Sequence, residues 1–165
     1  MKLLSITTLV AGAALTLASC HTGKNAYVKK FHKDLKHDVS GAKIKWKADT
    51  VRVIYPELAM FDFGKDEIKA TAKPSLKNFA TVLSRYDRID AKINGYTDNV
   101  GTDEVNNDLS KRRAENAKQL FEQNGVGTSR IMTSGMGKAD PLESNTTDEG
   151  RQANRRVEVL LYERK

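Results

Sequence analysis

Cysteine occurs once in 165 residues, at Cys20, and proline three times. An intrachain disulfide is therefore excluded, and with it a disulfide-stapled or collagen-like scaffold. Aromatic residues make up only 7% of the chain, and no apolar run approaches the roughly 20 residues of a membrane-spanning helix except at the very start. Beyond residue 40 there is neither His nor Cys, so a Cys–His or Ser–His nucleophile pair and a Cys/His metal set cannot be built there. No Gly-x-Ser-x-Gly occurs, and Gly135-Met136-Gly137 leads to Asp140 where a dinucleotide-binding loop has its third glycine. Carboxylates are abundant, but no spacing singles out a catalytic pair. The sequence predicts a binding module with no enzymatic activity, no cofactor and no metal site. The length, with 39% hydrophobic and 30% charged residues, fits one globular domain.

What is present begins with Met1-Lys2 and an uncharged stretch from Leu3 to Ala18, which reads as a signal peptide over residues 1–19. Leu17-Ala18-Ser19-Cys20 resembles the bacterial lipobox, which implies lipid on the Cys20 sulfur and a mature chain starting there. A short anchor helix with a free thiol is the other use of such a segment. His21, not Asp, follows Cys20; among lipoproteins of enteric-type bacteria that implies passage to the outer membrane, with the domain facing the periplasm.

Charge is unevenly spread. The chain carries 28 Lys and Arg against 21 Asp and Glu, and residues 20–39 alone hold five Lys against two Asp. A nucleic-acid binder carries its basic stripe on the folded domain; here the domain is nearly balanced, so nucleic acid is not an expected partner. Residues 20–39 are predicted to be a basic tether, reaching at most about 65–70 Å extended or about 25 Å as a flexible coil. Within it Val28, Phe31, Leu35 and Val39 fall at helical spacing among Lys29, Lys30, Lys33 and Lys36. That pattern suits either an amphipathic helix on anionic lipid or a solvated spacer. His32 and His37, five apart, do not have the i, i+4 spacing of a zinc-binding helix.

From residue 40 a domain reaching residue 165 is predicted. Lys43 to Lys47 alternates and Thr50 to Tyr55 is β-branched and apolar, the two forming a hairpin over Ala48-Asp49. Leu76, Phe79, Ala80 and Leu83 mark a helix over about residues 70–86, with Pro74 in its first turn. Ile89 to Tyr96 reads as a strand, Asp108 as the cap of a second helix that ends at Asn124-Gly125, and Arg130 to Ser134 and Val157 to Leu161 as further strands. Between those two lies a long loop with a short helix near Glu149 to Asn154. The order implies an α/β fold, a two-layer sandwich of a mixed sheet with helices packed on one face.

One run stands out: Gly95-Tyr96-Thr97-Asp98-Asn99-Val100-Gly101, then Asn106, then Leu109-Ser110-Lys111-Arg112-Arg113-Ala114. It resembles the OmpA C-terminal-like family, whose motif is T-D-x-x-G followed by N-x-x-L-S-x-x-R-A. The resemblance continues through Gly125-Val126, Ile131, Gly135, Gly137, Pro141, Asn145, Thr147, Gly150-Arg151 and Asn154 to Glu158, and spans about residues 43–162.

The resemblance implies non-covalent binding of peptidoglycan through the diaminopimelate of its stem peptide. The free end of diaminopimelate is a zwitterion, so a site needs an anion for its ammonium and a guanidinium for its carboxylate. Asp98 and Arg113 match the family's two such residues; Thr97, Asn106 and Arg155 fall on positions that line the ligand. By spacing alone, Asp98 and Arg113 serve equally well as a salt bridge fastening loop to helix. Thr97 as a turn hydroxyl, Asn106 as part of a helix start and Arg155 as edge charge are likewise ordinary roles. Gly64 stands where some members carry an Asn that adds a hydrogen bond. The expected function is that of an outer-membrane lipoprotein tethering membrane to wall, the alternative being an adaptor whose domain mainly binds other envelope proteins.

Overall fold

A computed structural model describes residues 20–164, with side chains from residue 26 on. The predicted leader, residues 1–19, and the Cys20 side chain lie outside the described residues. The elements are helix α1 (Cys20–Asp38), strands β1 (Lys43–Lys47) and β2 (Thr50–Pro56), a one-turn helix α2 (Glu57–Met60), α3 (Lys73–Ser84), β3 (Ile89–Tyr96), α4 (Asp103–Gln123), β4 (Ile131–Gly135), α5 (Asp148–Asn154) and β5 (Arg156–Glu163). The sheet order is β1-β2-β5-β3-β4. Only β3 and β4 are parallel, joined across α4; the other neighbours are antiparallel. The mixed sheet with helices on one face is as the sequence predicts.

Alternation along the strands builds the core. Val51, Leu161, Ala91 and Ile131 form one row across four strands, and Val53, Val159 and Ile93 the next, all turned to the helices and buried. Phe79 of α3 stacks near Tyr55 and meets Phe121 of α4 edge-on at 4.9 Å. The opposite face is polar and equally closed at its centre. Glu158 accepts from both Arg52 and Arg156, and the Arg156 guanidinium lies 3.7 Å from the centre of the Tyr96 ring. Arg156 also donates to the carbonyls of Asp140 and Asn154, which ties the long loop before β5 to the sheet.

Two boundaries differ from the sequence expectation. The second helix starts six residues early: Thr102, not Asp108, caps it, its hydroxyl accepting from the Val105 N–H at 3.3 Å. Asp103 and Glu104 then sit in the first turn, where a carboxylate is favoured by the helix dipole. The larger difference is the tether. Its Val28, Phe31, Leu35 and Val39 stripe is buried in the domain core, Phe31 and Leu35 completely. Phe31 and Tyr27 pack edge-on against Tyr86, whose hydroxyl donates to Asp34 and accepts from Lys30. Arg85 and Asn78 hold Asp38 at the end of the helix. The amphipathic helix forms, but its apolar face is used by α3 and the sheet. At 1.5 Å per residue, about 10 Å of helix separates Cys20 from Tyr27, the first docked residue among the described side chains, in place of a coil spacer.

Truncating Phe31 to Ala should cost about 3–5 kcal/mol of unfolding free energy, read by urea denaturation followed by circular dichroism; a loss under about 1 kcal/mol would mean that α1 is not part of the cooperative core.

Docking should also weaken in acid. Burial beside β1, helped by nearby Lys36, pushes the His32 imidazole below its ordinary 6.5, and hydrogen bonds from Tyr86 and Lys30 hold the Asp34 carboxyl below its ordinary 3.8. Both groups bind protons more weakly when folded, so each contributes stability above its unfolded pKa that is lost as pH falls toward the folded value. Melting temperature should drop first between about pH 7 and 5 and again below about pH 4. His32→Gln should abolish the first drop and leave the second.

Candidate functional site

The site lies where β3 and β4 end beside the start of α4. Gly95 and Gly135 are register partners, and α4 rests directly on them. A Cβ on Gly95 would fall 2.0 Å from the Ser110 carbonyl oxygen, and one on Gly135 2.7 Å from the Lys111 nitrogen. Glycine is required here for space, not for backbone angles. Ser110 completes the seat by accepting from the Gly137 N–H at 3.0 Å.

The loop from β3 into α4 is held by its own side chains. The Thr97 N–H donates to the Gly137 carbonyl and the Thr97 hydroxyl to the Asp98 carbonyl. Asp98 Oδ1 accepts from the Val100 N–H at 3.0 Å, and Asn106 reaches back from α4 to donate to the Val100 carbonyl at 2.9 Å. Asp98 Oδ2 is thereby aimed at Arg155, whose Nη1 is 2.6 Å away.

Arg155 does not stop at Asp98. Its Nε donates to Glu57 Oε2 at 2.7 Å, and Glu57 Oε1 accepts from Arg113 Nη2. The two residues Asp98 and Arg113 therefore share one cluster without touching. They are the ends of a chain of alternating charge, Asp98, Arg155, Glu57, Arg113. Arg113 Nε donates to the Lys65 carbonyl at 2.8 Å, and its guanidinium stands over Phe61 at 5.1 Å. Burial is graded: the Arg113 and Glu57 side chains are 1% and 2% exposed, those of Asp98 and Arg155 10% and 18%. Only the Asp98 and Arg155 end meets solvent, beside Phe63, which is 74% exposed and 5.5 Å from the Arg155 guanidinium. Burial disfavours the Arg155 charge, but hydrogen bonds to Asp98 and Glu57 outweigh it and hold its pKa above the ordinary guanidinium value.

Of the five residues expected to bind, Asp98, Arg113 and Arg155 meet in this cluster. Thr97 and Asn106 instead use their side chains to shape the loop. Gly64 has φ +68, a conformation in which Asn is the least strained substitute, and a Cβ there would meet nothing within 4 Å. Sequence reasoning missed Glu57. The one available signal was a lone acid in the otherwise uncharged run from Val53 to Phe61. Among the described residues no group of His, Cys, Asp and Glu could hold a metal ion.

Glu57→Ala should leave the buried Arg113 guanidinium and the half-buried Arg155 guanidinium without their shared anion and cost about 3–5 kcal/mol of stability. Glu57→Gln, which keeps the volume but removes the charge, should destabilise nearly as much, whereas exposed Glu67→Gln should stay within about 0.5 kcal/mol of wild type in the same urea titration.

Residues 60–155 match the profile of the OmpA family. The probable lipoprotein YiaD of Escherichia coli strain K12 is 34% identical over 122 residues, covering 74% of this chain and 56% of that protein. The chain spans only part of the length of its curated relatives, 35% of outer membrane porin F of Pseudomonas fluorescens and 56% of YiaD. Among solved structures, a MotB-like protein from Desulfovibrio vulgaris shares the fold with a TM-score of 0.77 at 24% identity, over 87% of this chain and 96% of that one. The peptidoglycan-associated lipoprotein of Burkholderia pseudomallei superposes with a TM-score of 0.58 at 26% identity, over 62% of this chain and 86% of that one. With the profile running from the end of α2 to the arginine that pairs with Asp98, the chain belongs to the OmpA family.

Proposed function

We propose that the domain binds peptidoglycan non-covalently, taking the free zwitterionic end of diaminopimelate at Asp98 and Arg155, with Arg113 behind them. The supporting observation is that solvent reaches the charge chain only where an anion and a guanidinium stand 2.6 Å apart. A zwitterion can replace that internal pair without stranding either charge: its ammonium goes to Asp98 and its carboxylate to the guanidinium fork of Arg155. Glu57 and Arg113 keep Arg155 oriented, and Phe63 offers an apolar rim. A ligand carrying only one charge would leave Asp98 or Arg155 unpaired and bind more weakly. The likeness to a peptidoglycan-associated lipoprotein supports the same substrate, and the family is a structural rather than a catalytic one.

The second half of the proposal is that Cys20 carries lipid, so that the protein ties outer membrane to wall. The lipobox-like Leu17 to Cys20 run and the likeness to the lipoprotein YiaD support it. With α1 docked, the domain would be held within about two helical turns of its lipid anchor along the chain. Many weakly bound copies would then give firm attachment through high effective concentration.

The test is co-sedimentation of residues 21–165 with sacculi of diaminopimelate type; a shorter chain from residue 40 would lose part of the core. Wild type should pellet. Asp98→Ala should weaken binding at least about tenfold, the equivalent of one lost charge-assisted hydrogen bond, while remaining folded by circular dichroism, and soluble diaminopimelate should compete. If wild type stays in solution, or Asp98→Ala pellets equally well, the wall is not the ligand of this site and an adaptor for other envelope proteins becomes the better account.

A further inference from the structure

A second feature lies on the far side of the domain from Asp98 along the sheet, where α1 passes edge strand β1. Between them runs an open groove of about 640 Å³ lined by Ala26, Lys29, Lys30, His32, Lys33, Lys36 and Trp46, with Lys30 held by Asp34 and Tyr86. Lys29, Lys33 and Lys36 follow one another at i, i+4 and i+7, so they stand on one face of the helix. All three are exposed, and among the described residues none has a carboxylate within ion-pair distance. The acids of α1 are turned elsewhere: Asp34 bonds Lys30 and Tyr86, and Asp38 bonds His37 and Arg85. Charge on the helix is thus sorted, with carboxylates toward α3 and unpaired ammonium groups toward the groove. The floor is the Trp46 ring, 5.4 Å from His32, and the lysine stems.

A carbon-lined groove rimmed by three unpaired cations and no anion is complementary to an amphiphilic anion. We propose that it binds the headgroup and glycerol region of anionic phospholipid, so that the side of α1 lies on the bilayer. Its place beside a membrane rests on lipid at Cys20, which begins the same helix; the binding itself does not. Along the helix axis Lys29 is about 14 Å and Lys36 about 24 Å from Cys20, so a helix lying along the surface brings all three lysines to the headgroups. The apolar stripe is already buried in the core, so attachment here is by headgroup capture and Trp46, not by insertion of a helix face. Lysines near an anionic surface contribute roughly fivefold each.

Strand alternation supplies an internal control. Ile44 and Trp46 pair with Val53 and Val51 on the helix side of the sheet, which puts exposed Lys43, Lys45 and Lys47 on the opposite face. Removing either set of three changes net charge equally. Trp46 is the single tryptophan of the chain, so its fluorescence reports on the groove directly.

The experiment titrates residues 21–165, without lipid, with phosphatidylcholine vesicles that contain or lack phosphatidylglycerol. Affinity and Trp46 emission are followed, and sacculus co-sedimentation is run on the same proteins. Expected results are binding only to the anionic vesicles, a blue shift of Trp46, about a hundredfold loss for Lys29→Gln/Lys33→Gln/Lys36→Gln, and a much smaller loss for Lys43→Gln/Lys45→Gln/Lys47→Gln. Both triple variants and Asp98→Ala should report separately, the first two leaving sacculus binding intact and the last leaving vesicle binding intact. Equal losses for the two triples would reduce the effect to net charge and overturn the proposal. So would absence of vesicle binding, or loss of sacculus binding by the groove triple, which would make the groove a wall contact.

Discussion

One carboxylate holds three distant stretches of chain together. Glu57 accepts from Arg113, 56 residues on, and from Arg155, 98 residues on, and all three are largely buried. A buried ion pair rarely adds net stability over an apolar replacement, but breaking one is costly. The consequence is that α2, α4 and the entry to β5 cannot shift independently. The Glu57 N–H also donates to the Arg155 carbonyl at 2.9 Å, so backbone and side chain specify the same register. Asp98 is added to this fixed core by a single ion pair, which makes it the exchangeable member of the chain.

The glycine seat under α4 sets the scale on which that happens. Val157 sits in the sheet row that continues into Gly95 and Gly135, so side-chain volume falls away toward β4 and the helix comes down onto backbone. Packing of this kind leaves little freedom to tilt. Arg113, nearly three turns into α4, is carried to its place by contacts made well away from any ligand. The closed polar face behind the sheet works similarly: Arg156 pins the loop that delivers Arg155.

Much of this was legible in the sequence because local patterns coincide with element types. The alternation of Lys43 to Lys47, the stripe of Leu76 to Leu83 and the glycine stop at Gly125 each have a physical meaning that survives folding. The α4 start was misplaced because Asp108 and Thr102 are both acceptable caps; Thr102 followed by Asp103 and Glu104 is the better one, having acids in the first turn as well. The stripe on α1 was visible, but a periodicity states that a face is buried and not what buries it. In the charge cluster, Asp98, Arg113 and Arg155 lay in or beside recognisable motif blocks. Glu57 had none, because its role depends on a contact 98 residues away.

The strand at the centre of the sheet is the last of the described strands in sequence order. Until residues 156–163 are delivered, the β1-β2 hairpin and the β3-α4-β4 unit are two fragments with nothing between them, each presenting an unpaired edge. Arg155 is joined directly to that strand, so the residue facing Asp98 arrives in the same step that closes the sheet. Vectorial synthesis therefore yields no molecule with a finished charge cluster on an unfinished fold. A chain interrupted before residue 156 would expose two open sheet edges and would not hold the Arg155 side of the charge cluster in register.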